Sequence, residues 1–330
     1  MMSQFDDASI LITGGTGSFG KAFVRHLLRH HNPRVVTIFS RDELKQHEMR
    51  AELAEHPDLR WFLGDIRDLP RLHRAFRDVD YVVHAAALKQ VDSAEYNPFE
   101  FVKTNVMGSQ NVIDAAIDAG VKKVVALSTD KASSPINLYG ATKLTADKLF
   151  VAGNNYANVQ QTAFCVVRYG NVMGSRGSVI PLFLRKIDSQ EAIPITDPRM
   201  TRFWISLEQA VFFVEACFSD MHGGELFVPR IPSMKLVDLV EALAPGHPVN
   251  VIGLRPGEKL HEEMISTDDS HRTVRQEGRY VVKPTIADWG FAPIEGEAVP
   301  EGFSYRSDTN DLWLSPEDMR QMLSVGRKDS

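Results

Sequence analysis

Only two of the 330 residues are cysteine, too few for a disulfide framework. Cys165, in an apolar strand pattern, and Cys217, in an apolar helix pattern, read instead as small buried hydrophobes. The chain also lacks a surplus of basic charge: a net charge of −6 and a pI near 6.0 give no overall field for nucleic acid, although local pockets for phosphate stay open. No apolar run approaches a membrane span, and no basic region leads into an apolar stretch at the N-terminus, where Ile10-Leu11-Ile12 runs at once into glycines. The expected address is therefore the cytoplasm, with neither nucleic acid nor membrane as partner. Repeats and low-complexity segments are missing too, so the length must be spent on one elaborated domain or two intimate ones.

What is present is a rhythm of short apolar strands and helical patterns. Strands are predicted near 9–13, 35–40, 59–63, 80–84, 123–128 and 162–168, with helices near 19–31, 42–55, 69–76, 95–119 and 139–154. Runs such as Val35-Val-Thr-Ile-Phe39 suit parallel strands buried on both faces. The fold class is α/β, a doubly wound parallel sheet of the Rossmann kind with a smaller C-terminal substrate-binding lobe. Residues 1–170 are expected to form the dinucleotide-binding domain, probing also into about 203–228, and residues 171–330 mainly the substrate lobe. After Gly170 the rhythm breaks into a Gly- and Pro-rich stretch, followed by a helix near 206–219 and a strand at Glu225–Val228.

Two motifs carry chemistry. Gly14, Thr16, Gly17, Ser18, Phe19 and Gly20 follow the first strand and open the first helix, where glycines let backbone approach a pyrophosphate and unpaired N–H groups face it. The second strand ends at Ser40-Arg41-Asp42-Glu43. A carboxylate there holds the ribose of NAD, but Arg41 comes first, with Lys45 one turn on, and favours the extra phosphate of NADP; Asp42 reads equally as a helix cap. Asp65 and Ile66 after the third strand, and Ala85 and Ala86 after the fourth, complete the expected cofactor set. The second motif is Ser128-Thr129-Asp130-Lys131, followed by Tyr139 and Lys143. Tyr and Lys at i, i+4 share a helix face, so the ammonium can lower the phenol pKa and make Tyr139 a usable base.

The glycine motif, the alanines after strand four, Asn105 and the Tyr139–Lys143 pair resemble the extended short-chain dehydrogenase/reductases that act on nucleotide sugars. Sugar 4,6-dehydratases of that group commonly carry Thr-Asp-Glu where this chain has Thr129-Asp130-Lys131. With Lys at that place, residues 128–143 are similar to the inverting UDP-N-acetylglucosamine 4,6-dehydratases of pseudaminic acid biosynthesis, as are 168–178, 197–205 and 255–262. The resemblance implies a lyase that uses and regenerates NADP. In it Tyr139 takes the proton of the 4-hydroxyl, Lys143 holds the tyrosine and nicotinamide ribose, Thr129 bonds near O4, Asp130 protonates the departing 6-hydroxyl and Lys131, its pKa lowered, removes the C5 proton. C5 inversion follows from Lys131 standing where retaining relatives carry Glu. A retaining dehydratase, a 4-epimerase and a non-catalytic NADP-binding module are the alternatives.

For the UDP-sugar, Asn171 and Arg176 follow the sixth strand, while Arg255 and Glu258 sit in a Pro-Gly turn suited to the diphosphate and the uridine ribose. Lys89 is a sugar or phosphate contact or a solvated lysine, and Thr201 and Arg202 are further candidates. His261 is followed by Glu262 and Glu263, but no second histidine stands at i+4, so no metal is predicted. The apolar faces of helices 95–119 and 139–154 are dimer-forming in the resembled family or ordinary core, and a homo-oligomer is expected.

Overall fold

Valine, isoleucine and phenylalanine dominate the inner strands because these lie in a layer covered on both faces. The computed structural model describes residues 3–53, 56–157, 161–175, 177–290 and 293–326. Its strands are β1 (Ser9–Thr13), β2 (Val35–Ser40), β3 (Leu59–Leu63), β4 (Tyr81–His84), β5 (Lys123–Leu127) and β6 (Ala163–Val167). They pair in parallel in the order β3-β2-β1-β4-β5-β6, with Ile12 opposite Ile38 on one side and Val83 on the other. Every residue of β1 and β6 is buried, as continuous apolar runs require. At the edge, β3 exposes Arg60 and Leu63, and a charge in such a strand discourages further pairing.

The chain reverses between β1 and β4, so the crevice at their carboxyl ends is where the sheet opens to a ligand. Beyond β6 a seventh parallel strand, Leu226–Pro229, is joined by antiparallel Arg279–Val282, Thr273–Gln276 and Glu297–Ala298, giving ten strands in all. A smaller apolar cluster around Ile180, Phe183, Ile193, Met200, Trp204, Met234 and Leu239 forms a second core above that crevice. Both cysteines are buried and unpaired. Among the described residues no helix is long and apolar enough to cross a membrane.

One predicted helix differs. The stretch expected as a single helix over 95–119 is broken into Val91–Tyr96, Pro98–Phe101, a widened π-type turn at Val102–Met107, and Gly108–Ala119. Pro98 suits the first position of a new helix but disfavours helical backbone at Asn97, whose φ of −121° marks the break. The π turn has a purpose visible in its bonds. It aims Asn105, which donates to the Leu88 carbonyl and accepts from its N–H, both at 2.9 Å, and donates to Thr142 at 3.1 Å. The loop after β4 is thereby fastened to the helix Leu138–Tyr156 that carries Tyr139 and Lys143.

Candidate active site

A cleft of about 900 Å3 runs across the carboxyl ends of the parallel strands. At one end lies the glycine turn. Gly14 has φ +66°, and a Cβ there would sit 2.9 Å from the Ala86 backbone, so only glycine serves. At Gly20 a Cβ would meet Gly15 Cα at 2.5 Å, which fixes how closely the helix Ser18–His30 approaches the strand. The cradle that these glycines leave open fits a pyrophosphate at the helix N-terminus. Thr16, Gly17, Ser18 and Phe19 line the same wall, with Ser40, Arg41, Lys45, Asp65, Ile66, Ala85 and Ala86 beyond.

Asp42 caps the helix Glu43–Glu52 by accepting from the Lys45 N–H at 3.0 Å, and its carboxylate also holds the Lys45 ammonium. Arg41 is half exposed and leans toward Asp65 at 3.8 Å. Burial pushes the Asp65 carboxyl up, but bonds from Arg67 outweigh it and leave the group below its ordinary value.

At the centre, Tyr139 and Lys143 rise from the first turns of Leu138–Tyr156, capped by Asn137, whose side chain accepts from Gly140 N–H at 2.7 Å. Gly140 is required by packing: a Cβ there would lie 2.1 Å from the Lys131 carbonyl oxygen. This contact seats the short turn Asp130–Ala132 against the helix. The Lys143 ammonium donates to the Leu127 carbonyl at 2.7 Å, and burial lowers its pKa. The expected lowering of the Tyr139 phenol by Lys143 is not what this arrangement produces. Burial pushes the phenol up to about 12, opposed by Lys131 and by a hydrogen bond with Thr129.

Asp130 is 1% exposed. Burial raises its pKa, the Lys131 charge opposes, and a neighbouring carboxylate at Glu262 adds to the rise. Thr129 donates to Asp130 Oδ1 at 2.9 Å. Lys131 departs from expectation: burial would lower its pKa, but Asp130 Oδ1 at 3.1 Å and Glu262 Oε1 at 3.0 Å hold it well above the usual amine range. The two carboxyl groups that flank the amine outweigh desolvation. Glu262 itself, raised by burial but more strongly held down by Lys131 and Arg202, stays ionised.

At the far end, Lys89, Asn171, Arg255 and Glu258 line the cleft, with Glu258 Oε2 accepting from Thr196 at 3.1 Å and lying 3.4 Å from Arg255 Nε. Asn137 Nδ2 donates to the Gly257 carbonyl at 2.7 Å, docking the Pro-Gly turn on the catalytic helix. Arg176 lies outside the described residues. Thr201 does not reach the cleft: its hydroxyl is buried against His261 at 2.8 Å and Ser307 at 2.7 Å. Its neighbour Arg202 faces the cleft instead, because successive strand residues point to opposite sides. Glu262 was weighed in the sequence only as a metal ligand, and Asn137 was not singled out. Glu262 directly precedes the short strand Glu263–Ile265, whose buried Met264 and Ile265 are the local sign that this stretch enters the interior.

The parallel sheet, the glycine turn and the Tyr–Lys helix define a Rossmann-fold protein of the extended short-chain dehydrogenase/reductase class. The chain belongs to the polysaccharide biosynthesis protein family, whose sequence model matches residues 10–284. It is 55% identical to the UDP-N-acetylglucosamine 4,6-dehydratase (inverting) of Campylobacter jejuni subsp. jejuni serotype O:2, over 97% of this chain and 98% of the relative. It is 40% identical to the UDP-glucose 4-epimerase of Rickettsia akari, over 97% and 96%. Among solved structures, DesIV, a dTDP-glucose 4,6-dehydratase from Streptomyces venezuelae with NAD and TYD bound, superposes with a TM-score of 0.69 at 26% identity, covering 76% of this chain and 86% of that one.

Proposed function

We propose that this chain is a hydro-lyase converting UDP-N-acetylglucosamine to the UDP-4-keto-6-deoxy-L-arabino sugar with inversion at C5, the step that opens a route to pseudaminic acid. The observation that carries the reading is the buried Asp130 beside Lys131, on the same cleft wall as Thr129, Tyr139 and Lys143. An epimerase needs the Tyr–Lys pair but has no water to expel, so an enclosed acid and an amine beside it would have nothing to do. The identity to a named inverting dehydratase supports the same reading, and exceeds that to the named epimerase.

Gly14, Gly17, Gly20, Ala85, Ala86 and Lys143 fit a nicotinamide dinucleotide, and Arg41 with Ser40 and Lys45 favours NADP over NAD. Bound there, it would accept hydride from C4 and return it at C6, ending each turnover unchanged. Tyr139 takes the proton of the 4-hydroxyl, and its high phenol pKa makes it a strong base once ionised beside a positively charged ring. Thr129 orients O4. Asp130, its pKa raised by burial against the opposing Lys131 charge, gives its proton to the leaving 6-hydroxyl. Lys131 works at C5, where the adjacent ketone makes the proton acidic. Arg255, Asn171, Lys89 and Glu258 hold the UDP and sugar.

In this reading residues 1–170, with part of 203–228, serve the cofactor, and the remainder serves mainly the sugar nucleotide. Tyr96, Phe99 and Met107 are 86%, 61% and 53% exposed on the broken helical stretch, which supports self-association through that face. The test of function is direct. Incubation with UDP-N-acetylglucosamine should give loss of one water by mass without added cofactor; a 4-epimer of unchanged mass would replace this reading with the epimerase.

A further inference from the structure

Lys131 meets the cleft with a side chain 25% exposed, while Glu262 stands behind it, 2% exposed. Their separation of 3.0 Å is fixed from both sides. The Asp130–Ala132 turn is seated on Gly140, and Glu262 is pinned by its N–H donating to Ser307 Oγ at 2.9 Å and its carbonyl accepting from Ser307 N–H at 2.8 Å. Arg202 Nε lies 3.6 Å from the same carboxylate oxygen, and the Lys259 charge faces it as well. The other oxygen, Glu262 Oε2, is buried without a hydrogen-bond partner, as is Asp130 Oδ2. A buried carboxylate with an unsatisfied oxygen is costly, and here it costs stability in contact with a reacting amine.

An amine held between the Glu262 carboxylate and the Asp130 carboxyl group rests as an ammonium, and an ammonium cannot take a proton from carbon. Some group must relieve it as it works. Asp130 cannot, because its own proton is committed to the leaving hydroxyl. Resting on the dehydratase reading above, we infer that Glu262 is a positioning residue that holds Lys131 at C5 and takes from Nζ the proton it must shed.

The step balances. As the C5–H bond breaks, its electron pair forms the enolate of the 4-ketone, the C5 proton moves to Nζ, and one Nζ proton moves to Glu262 Oε1. The enolate re-forms the ketone as the C6–O6 bond breaks and Asp130 delivers its proton to O6. Water leaves, with Lys131 still an ammonium, Glu262 protonated and Asp130 ionised. After C6 is reduced, Tyr139 gives the proton it took from O4 to the opposite face of C5, which inverts that carbon, and Glu262 passes its proton through Nζ to Asp130 Oδ1, 3.1 Å away, restoring all four groups.

The test separates the two halves of turnover in Glu262→Gln. Mixing the holoenzyme with UDP-N-acetylglucosamine should give oxidation at C4 near the wild-type rate, read as reduced-nicotinamide absorbance that now persists. Deuterium entry at C5 in heavy water, read by NMR, should fall about a hundredfold or more. Glu262→Asp, which keeps the carboxylate, should recover part of the exchange. Exchange near the wild-type rate in Glu262→Gln would overturn the inference, and so would a parallel loss of C4 oxidation and C5 exchange, which marks a structural role. Should Glu262→Gln not fold, Glu262→Asp decides: slowed C5 exchange with normal C4 oxidation supports the inference, and unslowed exchange or a parallel slowing of both overturns it. A wild-type enzyme that releases no water fails the dehydratase reading itself, whatever Glu262 does.

Discussion

The two ends of the cleft are built by different means. The glycine end is made of backbone from contiguous turns, where Gly14, Gly17 and Gly20 lie within seven residues and the helix that follows supplies its N–H groups. The catalytic end is made of side chains from segments that meet only in the folded chain. Asp130 and Lys131 come from the end of β5, Tyr139 from the next helix, Arg202 from the strand Thr201–Ile205 and Glu262 from a loop more than a hundred residues on. A backbone cradle presents fixed dipoles with little dependence on the rest of the molecule. A cluster of buried charges works only as a set, because each member's protonation is decided by the others.

That contrast predicts large effects of single changes at the catalytic end. Tyr139→Phe should keep the fold and the cofactor yet lower activity about a hundredfold to ten-thousandfold, the usual loss when a general base is removed. Steady-state turnover with a parallel cofactor-binding measurement checks it, and near-normal turnover would demote Tyr139 to packing. Gly140→Ala should follow in size. Its Cβ would collide with the Lys131 carbonyl, so urea unfolding should show a loss toward the upper end of about 1–3 kcal/mol, with activity falling further as the Asp130–Lys131 turn shifts.

At the cradle end the same comparison predicts graded losses. Arg41→Ala should weaken NADP by about tenfold to a hundredfold while leaving NAD little changed, the worth of a charged hydrogen bond to phosphate. Equal weakening of both would mean that Arg41 serves Asp65 alone.

The smallest effect lies away from both ends, where Glu215 ties the helices Ser18–His30 and Leu207–Asp220 by accepting from His26 at 2.5 Å and reaching His31 at 2.8 Å. Its bond to His26 holds the carboxyl below its ordinary value, against the opposing effect of burial. The native state therefore binds this proton less readily than the unfolded chain. The tie contributes fully above the ordinary carboxylate value and is lost as pH falls through the lower, folded one. Glu215→Gln should cost about 1 kcal/mol near neutrality and flatten that acid limb of the stability curve. An unchanged limb would assign acid unfolding to other carboxylates.

Legibility in the sequence follows the same line. Six strands and the catalytic helix were readable because they are continuous apolar runs or marked by local turn chemistry, and they occur within a residue or two of expectation. The helix over 95–119 misled because periodicity does not register a proline break followed by a π turn. The glycine turn and the 129–143 set were readable as local spacings. Thr201 and Arg202 were both candidates, and which of the two enters the cleft is decided by which side of a strand faces it, which depends on its pairing. The raised Lys131 and Tyr139 pKa values could not be read at all, since both express burial and that of Lys131 also a carboxylate 131 positions away.

In the proposed reading the acid and amine at the end of β5 perform an inverting dehydration. NMR of the first product formed from UDP-N-acetylglucosamine in heavy water tests it most directly. The L-arabino 4-keto-6-deoxy sugar carrying deuterium at C5 is the predicted result, and a D-xylo 4-keto sugar, or a product that keeps its 6-hydroxyl, would contradict it.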